Sequence, residues 1–175
     1  MTKRRIFLVD HPATTFVSAV ILGIGATLTF DLWAMSLKYV FKIPPSDIRL
    51  VGRWVLYMRE GVFTHSTIAS RPPKNAERFV GWLAHYVIGV TLSIAFVSLV
   101  GVDWLRHPRL PAAVAFGLAT VLAPFCIMQP SFGFGFAASK TAHPWQARLR
   151  SVMNHIAYGV GLYIFALLDG WLRLP

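Results

Sequence analysis

Two histidines stand inside runs that are otherwise apolar: His85 in residues 78–89, RFVGWLAHYVIG, and His155 in residues 148–159, RLRSVMNHIAYG. Each lies seven residues after an arginine and four before a glycine. Whatever the first does, the second is expected to share. Asp31 is a carboxylate in a similar apolar setting, and Gln129 an amide. An imidazole titrates near neutral pH, and a carboxylate beside it can hold or pass on its proton. The same Asp31, His85 and His155 form a possible three-ligand set for zinc or non-haem iron. The two histidines alone suit a haem, with Gly89 and Gly159 leaving room for its ring.

The surroundings of these residues point to a membrane. The chain of 175 residues is 55% hydrophobic and 14% charged, against about a quarter charged in an average soluble domain. Its charges are segregated into gaps between long apolar segments, whereas a soluble core helix keeps a polar face. Four segments match the roughly 20 residues that cross a bilayer: about 14–37, 79–102, 111–128 and 151–168. The expected fold is a single all-α membrane domain over 1–175, an integral four-helix bundle. Charged residues follow the first Met, but a full-length span comes after Pro12 rather than a short apolar run with a cleavage site, so an uncleaved anchor is expected. Cys126, the only cysteine, has no internal disulfide partner.

Antiparallel spans place Asp31, His85 and His155 at one depth, roughly 6 to 9 Å below the face that carries the two longer loops, here the far face. Gln129 closes the third span there. Steps of four give Ala19, Gly23, Thr27 and Asp31 on the first span, His85, Gly89 and Ser93 on the second, and His155, Gly159 and Tyr163 on the fourth. Small residues at this spacing let helices approach closely, and an ionisable group facing lipid is costly, so both arguments turn these stripes inward.

The halves of the chain also resemble each other. His85 and His155 both precede Gly and then G-V-x-L-x-I, and W-L-R-x-P recurs at 104–108 and 171–175. Ala19, Val20 and Gly23 match Ala113, Val114 and Gly117, so the bundle reads as a tandem repeat of a two-helix unit. In the first long loop, Ile48, Val51, Val55 and Met58 recur at helical spacing with Ser46 or Asp47 as cap, predicting a short interfacial helix over about 46–60 with Arg49, Arg53 and Arg59 on its surface. The second loop, with its Phe-Gly alternation, must fold against the bundle or line a polar cavity. Trp82, Trp104, Trp145 and Trp171 sit near span ends, as an aromatic belt requires. The loops offer Arg53, His65, Glu77, Lys140 and His143 as a rim.

The excess of 17 basic over 7 acidic residues is explained by membrane lipid headgroups rather than nucleic acid. Basic-residue count favours a cytoplasmic far face, and basic density near the first residues favours the opposite. No H-E-x-x-H, C-x-x-C, G-x-S-x-G, P-loop or dinucleotide fingerprint is present, which leans away from an enzyme and leaves any cofactor unspecified. Three readings remain open: a site that binds or passes a small solute, lipid headgroup or proton, a metal or haem site, and a scaffold in which the histidines are structural clips. Four helices enclose little volume, so a homodimer is expected on general grounds.

Several short motifs together resemble the family known as domain of unknown function 2938. They are Asp31-Leu32-Trp33, Gly52-Arg53-Trp54, Gly81-Trp82 with His85-Tyr86 and Gly89, Met128-Gln129-Pro130 with Gly133, Gly135 and Ala137-Ala138-Ser139-Lys140, and His155 with Gly159, Gly161, Leu162 and Tyr163. Ala142 stands where the resemblance would place a proline. The resemblance implies a small multi-span protein of the bacterial inner membrane and transfers no activity.

Overall fold

The computed structural model describes residues 11–172. Lys3, Arg4, Arg5 and Arg173, which the order of the spans assigns to the near face opposite the two longer loops, lie outside those residues, as does the end of the second W-L-R-x-P. The regular structure of the described residues is helical throughout: α1 Pro12–Phe41, α2 Ile48–Met58, α3 Glu77–Val100, α4 Val102–Arg106, α5 Leu110–Thr120 and α6 Pro144–Leu172. Four stretches, Pro12–Phe41, Glu77–Val100, Leu110–Ser131 and Pro144–Leu172, are long and apolar enough to cross a membrane.

Helices outrun the hydropathic segments because backbone hydrogen bonding does not stop where lipid does. α1 continues to Phe41 until Lys42 adopts φ 58° and returns its N–H to the Leu37 carbonyl, just before Pro44 and Pro45. α6 starts at Pro144, whose fixed φ suits a first helical position. In the third span Pro124 has no N–H to donate. The backbone widens there into one π turn, Pro124–Met128, with the Gln129 N–H donating to the Pro124 carbonyl, and then resumes through Gln129–Ser131.

α1 and α6 form the central pair of the bundle, α3 packs on α1, and α5 packs on α6. Each half of the proposed repeat uses the same glycines at its crossing. A Cβ on Gly23 would come within 2.6 Å of the Val90 Cα, beside Gly89, and one on Gly117 within 2.9 Å of the Gly159 Cα. Such backbone approach is the usual means of helix association in lipid. Pseudosymmetry breaks where the halves meet. α1 and α6 join closely, a Cβ on Gly161 lying 2.7 Å from the Ala26 Cα, whereas α3 and α5 touch far less, with Phe96 and Phe116 rings 5.0 Å apart.

Trp104 is no member of an aromatic belt. Gly101, at φ 78°, turns α4 back under the bundle, and Trp104 is buried to 6% exposure with its ring 4.7 Å from Phe96. With Leu22, Ala26 and Leu162 fully buried, this cluster closes the near end.

On the far side, Asp47 caps α2 by accepting from the Arg49 N–H at 3.0 Å. Contacts along α2 run from Ile48 beside Gly81, through Gly52 beside Glu77, to Glu60 beside Lys74, so it lies antiparallel to the start of α3. Arg53, expected on the outer surface, is instead buried. It donates to both Glu77 carboxylate oxygens at 2.8 and 3.0 Å and to the Ile68 and Arg71 carbonyls. A guanidinium has five donors to place, and only this fold of the loop supplies the acceptors. The Glu77 hydrogen bonds raise the Arg53 pKa further above its ordinary value. The second loop docks on the first: the His65 N–H donates to the Ser131 carbonyl and the Ile68 N–H to the Phe132 carbonyl, while Gly133, at φ 84°, lies against Ser66.

A Cβ at Gly52 would overlap the Glu77 carbonyl, whereas one at Gly170 meets nothing within 4 Å. Gly52→Ala should therefore lower stability by about 1–3 kcal/mol, and Gly170→Ala should be neutral or stabilising by up to about 1 kcal/mol. Unfolding in detergent checks both, and equal effects would contradict the close α2–α3 contact.

Candidate functional site

Asp31, His85 and His155 lie roughly 12 to 16 Å from the far ends of their helices at 1.5 Å per residue. These distances run to the helix ends, which lie beyond the apolar segments, and so exceed the roughly 6 to 9 Å counted from the span boundaries. Asp31 and His85 meet directly: His85 Nε2 is 3.0 Å from Asp31 Oδ1. The second carboxylate oxygen accepts from the Tyr86 hydroxyl at 3.1 Å. Both side chains keep a partly open surface, 21% for His85 and 17% for Asp31.

Aromatic rings surround the His85 imidazole. Phe30, Tyr86 and Trp82 stand edge-on to it with centroids 5.3, 5.7 and 5.8 Å away. Phe30 also reaches His155, at 5.8 Å. The histidines therefore share an aromatic neighbour but have different polar partners.

His155 Nδ1 lies 2.8 Å from the Thr120 hydroxyl oxygen. That hydroxyl donates its own proton to the Gly117 carbonyl at 2.6 Å, which leaves a lone pair to accept from His155. The network thus sets Nδ1–H as the His155 tautomer and keeps the Nε2 lone pair as an acceptor. His85 is anchored to a carboxylate through Nε2 and His155 to a hydroxyl through Nδ1.

Two other interior hydroxyls serve packing. The Tyr158 hydroxyl crosses from α6 to donate to the Gly89 carbonyl on α3 at 2.6 Å. Thr27 donates to the Gly23 carbonyl on its own helix. Trp33 Nε1 and Asn154 Oδ1 are buried without a partner among the described residues. Each lies seven residues, about two turns, to the far side of the Ala26–Gly161 contact. A donor and an acceptor therefore face the same α1/α6 seam beside His155.

The other expected site residues fall elsewhere. Gln129 is buried near the far end, and the partners found for the histidines are Asp31 and Thr120 rather than its amide. Arg53, Glu77 and His65 are buried in the loop layer as structural groups, and Lys140 and His143 are on the outer surface. No three His, Cys, Asp or Glu side chains gather as a metal-holding group among the described residues, so Asp31, His85 and His155 do not converge as a ligand set. Sequence reasoning missed Tyr86, Thr120, Phe30 and Trp82. Thr120 had a usable signal as the only hydroxyl in the apolar body of the third span. Phe30 had none, since its role depends on contacting two other helices.

Four apolar helices around a one-sided polar cluster define a polytopic membrane protein. The family described as "Protein of unknown function (DUF2938)" matches residues 20–169, and the chain belongs to it. No curated protein matches the chain, nor does any solved structure.

His65 is 5% exposed, its ring is 5.2 Å from Tyr57, and both ring nitrogens lack a partner among the described residues. Burial first, and then the charge of Arg71, hold its pKa below 6.5. With the folded value depressed, the unfolded loop takes up the proton first, so stability falls as pH drops below 6.5 and levels off below the folded value. The protection factors of the His65 and Ile68 amides, which correct exchange rates for their intrinsic pH dependence, should therefore fall from pH 7.5 to pH 5, and His65→Phe should remove that fall. Unchanged protection factors in the wild type would contradict the reading.

Proposed function

We propose that this protein holds and exchanges a proton, or a small polar solute in its place, at a one-sided intramembrane site in the inner membrane of a bacterium, without catalysis. The observation that carries this reading is the Asp31 carboxylate between the His85 imidazole and the Tyr86 hydroxyl, at 3.0 and 3.1 Å, well inside helices of membrane-spanning length.

The chemistry follows from charge. With His85 neutral, the cluster carries the single negative charge of Asp31, held by two hydrogen bonds. Uptake of one proton would make a neutral imidazolium–carboxylate pair, and its release would restore the single charge. Edge-on aromatic rings exclude water around the imidazole while leaving it partly open. His155 Nε2 is a second acceptor across Phe30, and the Trp33 donor and Asn154 acceptor suit a small hydrogen-bonding solute. The packed layer of Leu22, Ala26, Phe96 and Leu162 lies toward the near end, so exchange proceeds from the far side in this conformation.

Trp82, 5.8 Å from His85, supplies the readout, because a protonated imidazole quenches indole emission. The difference in emission between wild type and Trp82→Phe should show a pH-dependent step. That step should vanish in His85→Gln and be suppressed in Asp31→Asn, where a protonated His85 has no counter-ion. An identical step in all folded variants would refute the proposal.

A further inference from the structure

We infer that the far-face loop layer is a docking surface for the headgroups of anionic phospholipids. The argument rests on which charges the fold uses internally. The acids of this face are Asp47, Glu60 and Glu77, and each is engaged by a base: Asp47 by Arg49, Glu60 by Lys74 and Glu77 by Arg53. Lys38, Lys42, Arg59, Arg71, Arg78 and Lys140 are exposed and have no acidic partner among the described residues. The fold thus neutralises its acids and leaves a set of cations outward.

Their placement favours many headgroups over one soluble anion. Lys38 and Lys42 lie at the end of α1, Arg59 at the end of α2, Arg71 and Arg78 around the start of α3, and Lys140 in the second loop. No single pocket gathers them. Outward-facing Tyr39, Phe63, Phe136 and Trp145, 60–73% exposed, lie in the same segments. Aromatic rings interleaved with cations at the ends of spans match the level where acyl chains meet phosphates. Each Lys or Arg near an anionic surface contributes about a fivefold gain in binding, screened by salt.

The test uses the full chain in vesicles of phosphatidylcholine mixed with phosphatidylglycerol. Tryptophan quenching by brominated forms of each lipid measures which lipid surrounds the protein. Wild type should prefer phosphatidylglycerol, and high salt should collapse the preference. Arg71→Gln/Arg78→Gln/Lys140→Gln should lower it severalfold, by up to about fivefold per residue removed, and by more than near-face Arg109→Gln does. Equal quenching by both lipids in the wild type would overturn the inference. So would a preference that survives both high salt and the far-face substitutions, or one lost equally in Arg109→Gln.

Discussion

Close backbone approach at two glycine crossings, Gly23 with Gly89 and Gly117 with Gly159, is the constraint on which the remaining structure depends. In lipid there is no hydrophobic force to bring apolar helices together, so contact must come from surfaces that fit. His85 lies one helical turn beyond Gly89 and His155 one turn beyond Gly159, which brings both imidazoles to the same depth. A side chain at the first crossing would push α1 from α3 and strain the His85–Asp31 hydrogen bond, and one at the second would push α5 from α6 and strain the His155–Thr120 hydrogen bond.

The halves share this crossing but not its chemistry. Asp31 and Tyr86 equip the first half with a carboxylate and a phenol, and the second half offers only Thr120 to its histidine. The same asymmetry appears in packing. Tyr158 reaches into the centre to bond Gly89, while Ile88, the matching position of the first half, faces outward. The central pair is thus α1 with α6, and the charge-bearing cluster lies between α1 and α3. A symmetric pair of carboxylates would add a second charge within the bundle, which makes one acidic half the less costly arrangement.

Much of this was legible in the chain itself. Apolar length marks the spans, and spacing by fours turned Asp31, His85, Gly89 and Gly159 inward. Helix ends were less legible, because hydropathy reports the lipid-facing length, whereas Lys42 and Pro144 set where α1 and α6 end and begin. Arg53 was misplaced on a surface for a different reason: its acceptor, Glu77, is 24 residues away and its other partners are loop carbonyls. Trp104 depended on a turn at Gly101 that no periodicity encodes. Phe30 is apolar like its neighbours, and only the assembled bundle shows that it touches both histidines.

The central claim is that Asp31 holds an exchangeable charge inside the bundle, and infrared spectroscopy of the protein with isotope-labelled aspartate in lipid nanodiscs tests it most directly. The account predicts an interior carboxylate whose band responds as pH changes the protonation of its His85 partner, with that response lost in Asp31→Asn and altered in His85→Gln. A carboxylate band that ignores pH, or a response that persists without Asp31, would contradict it.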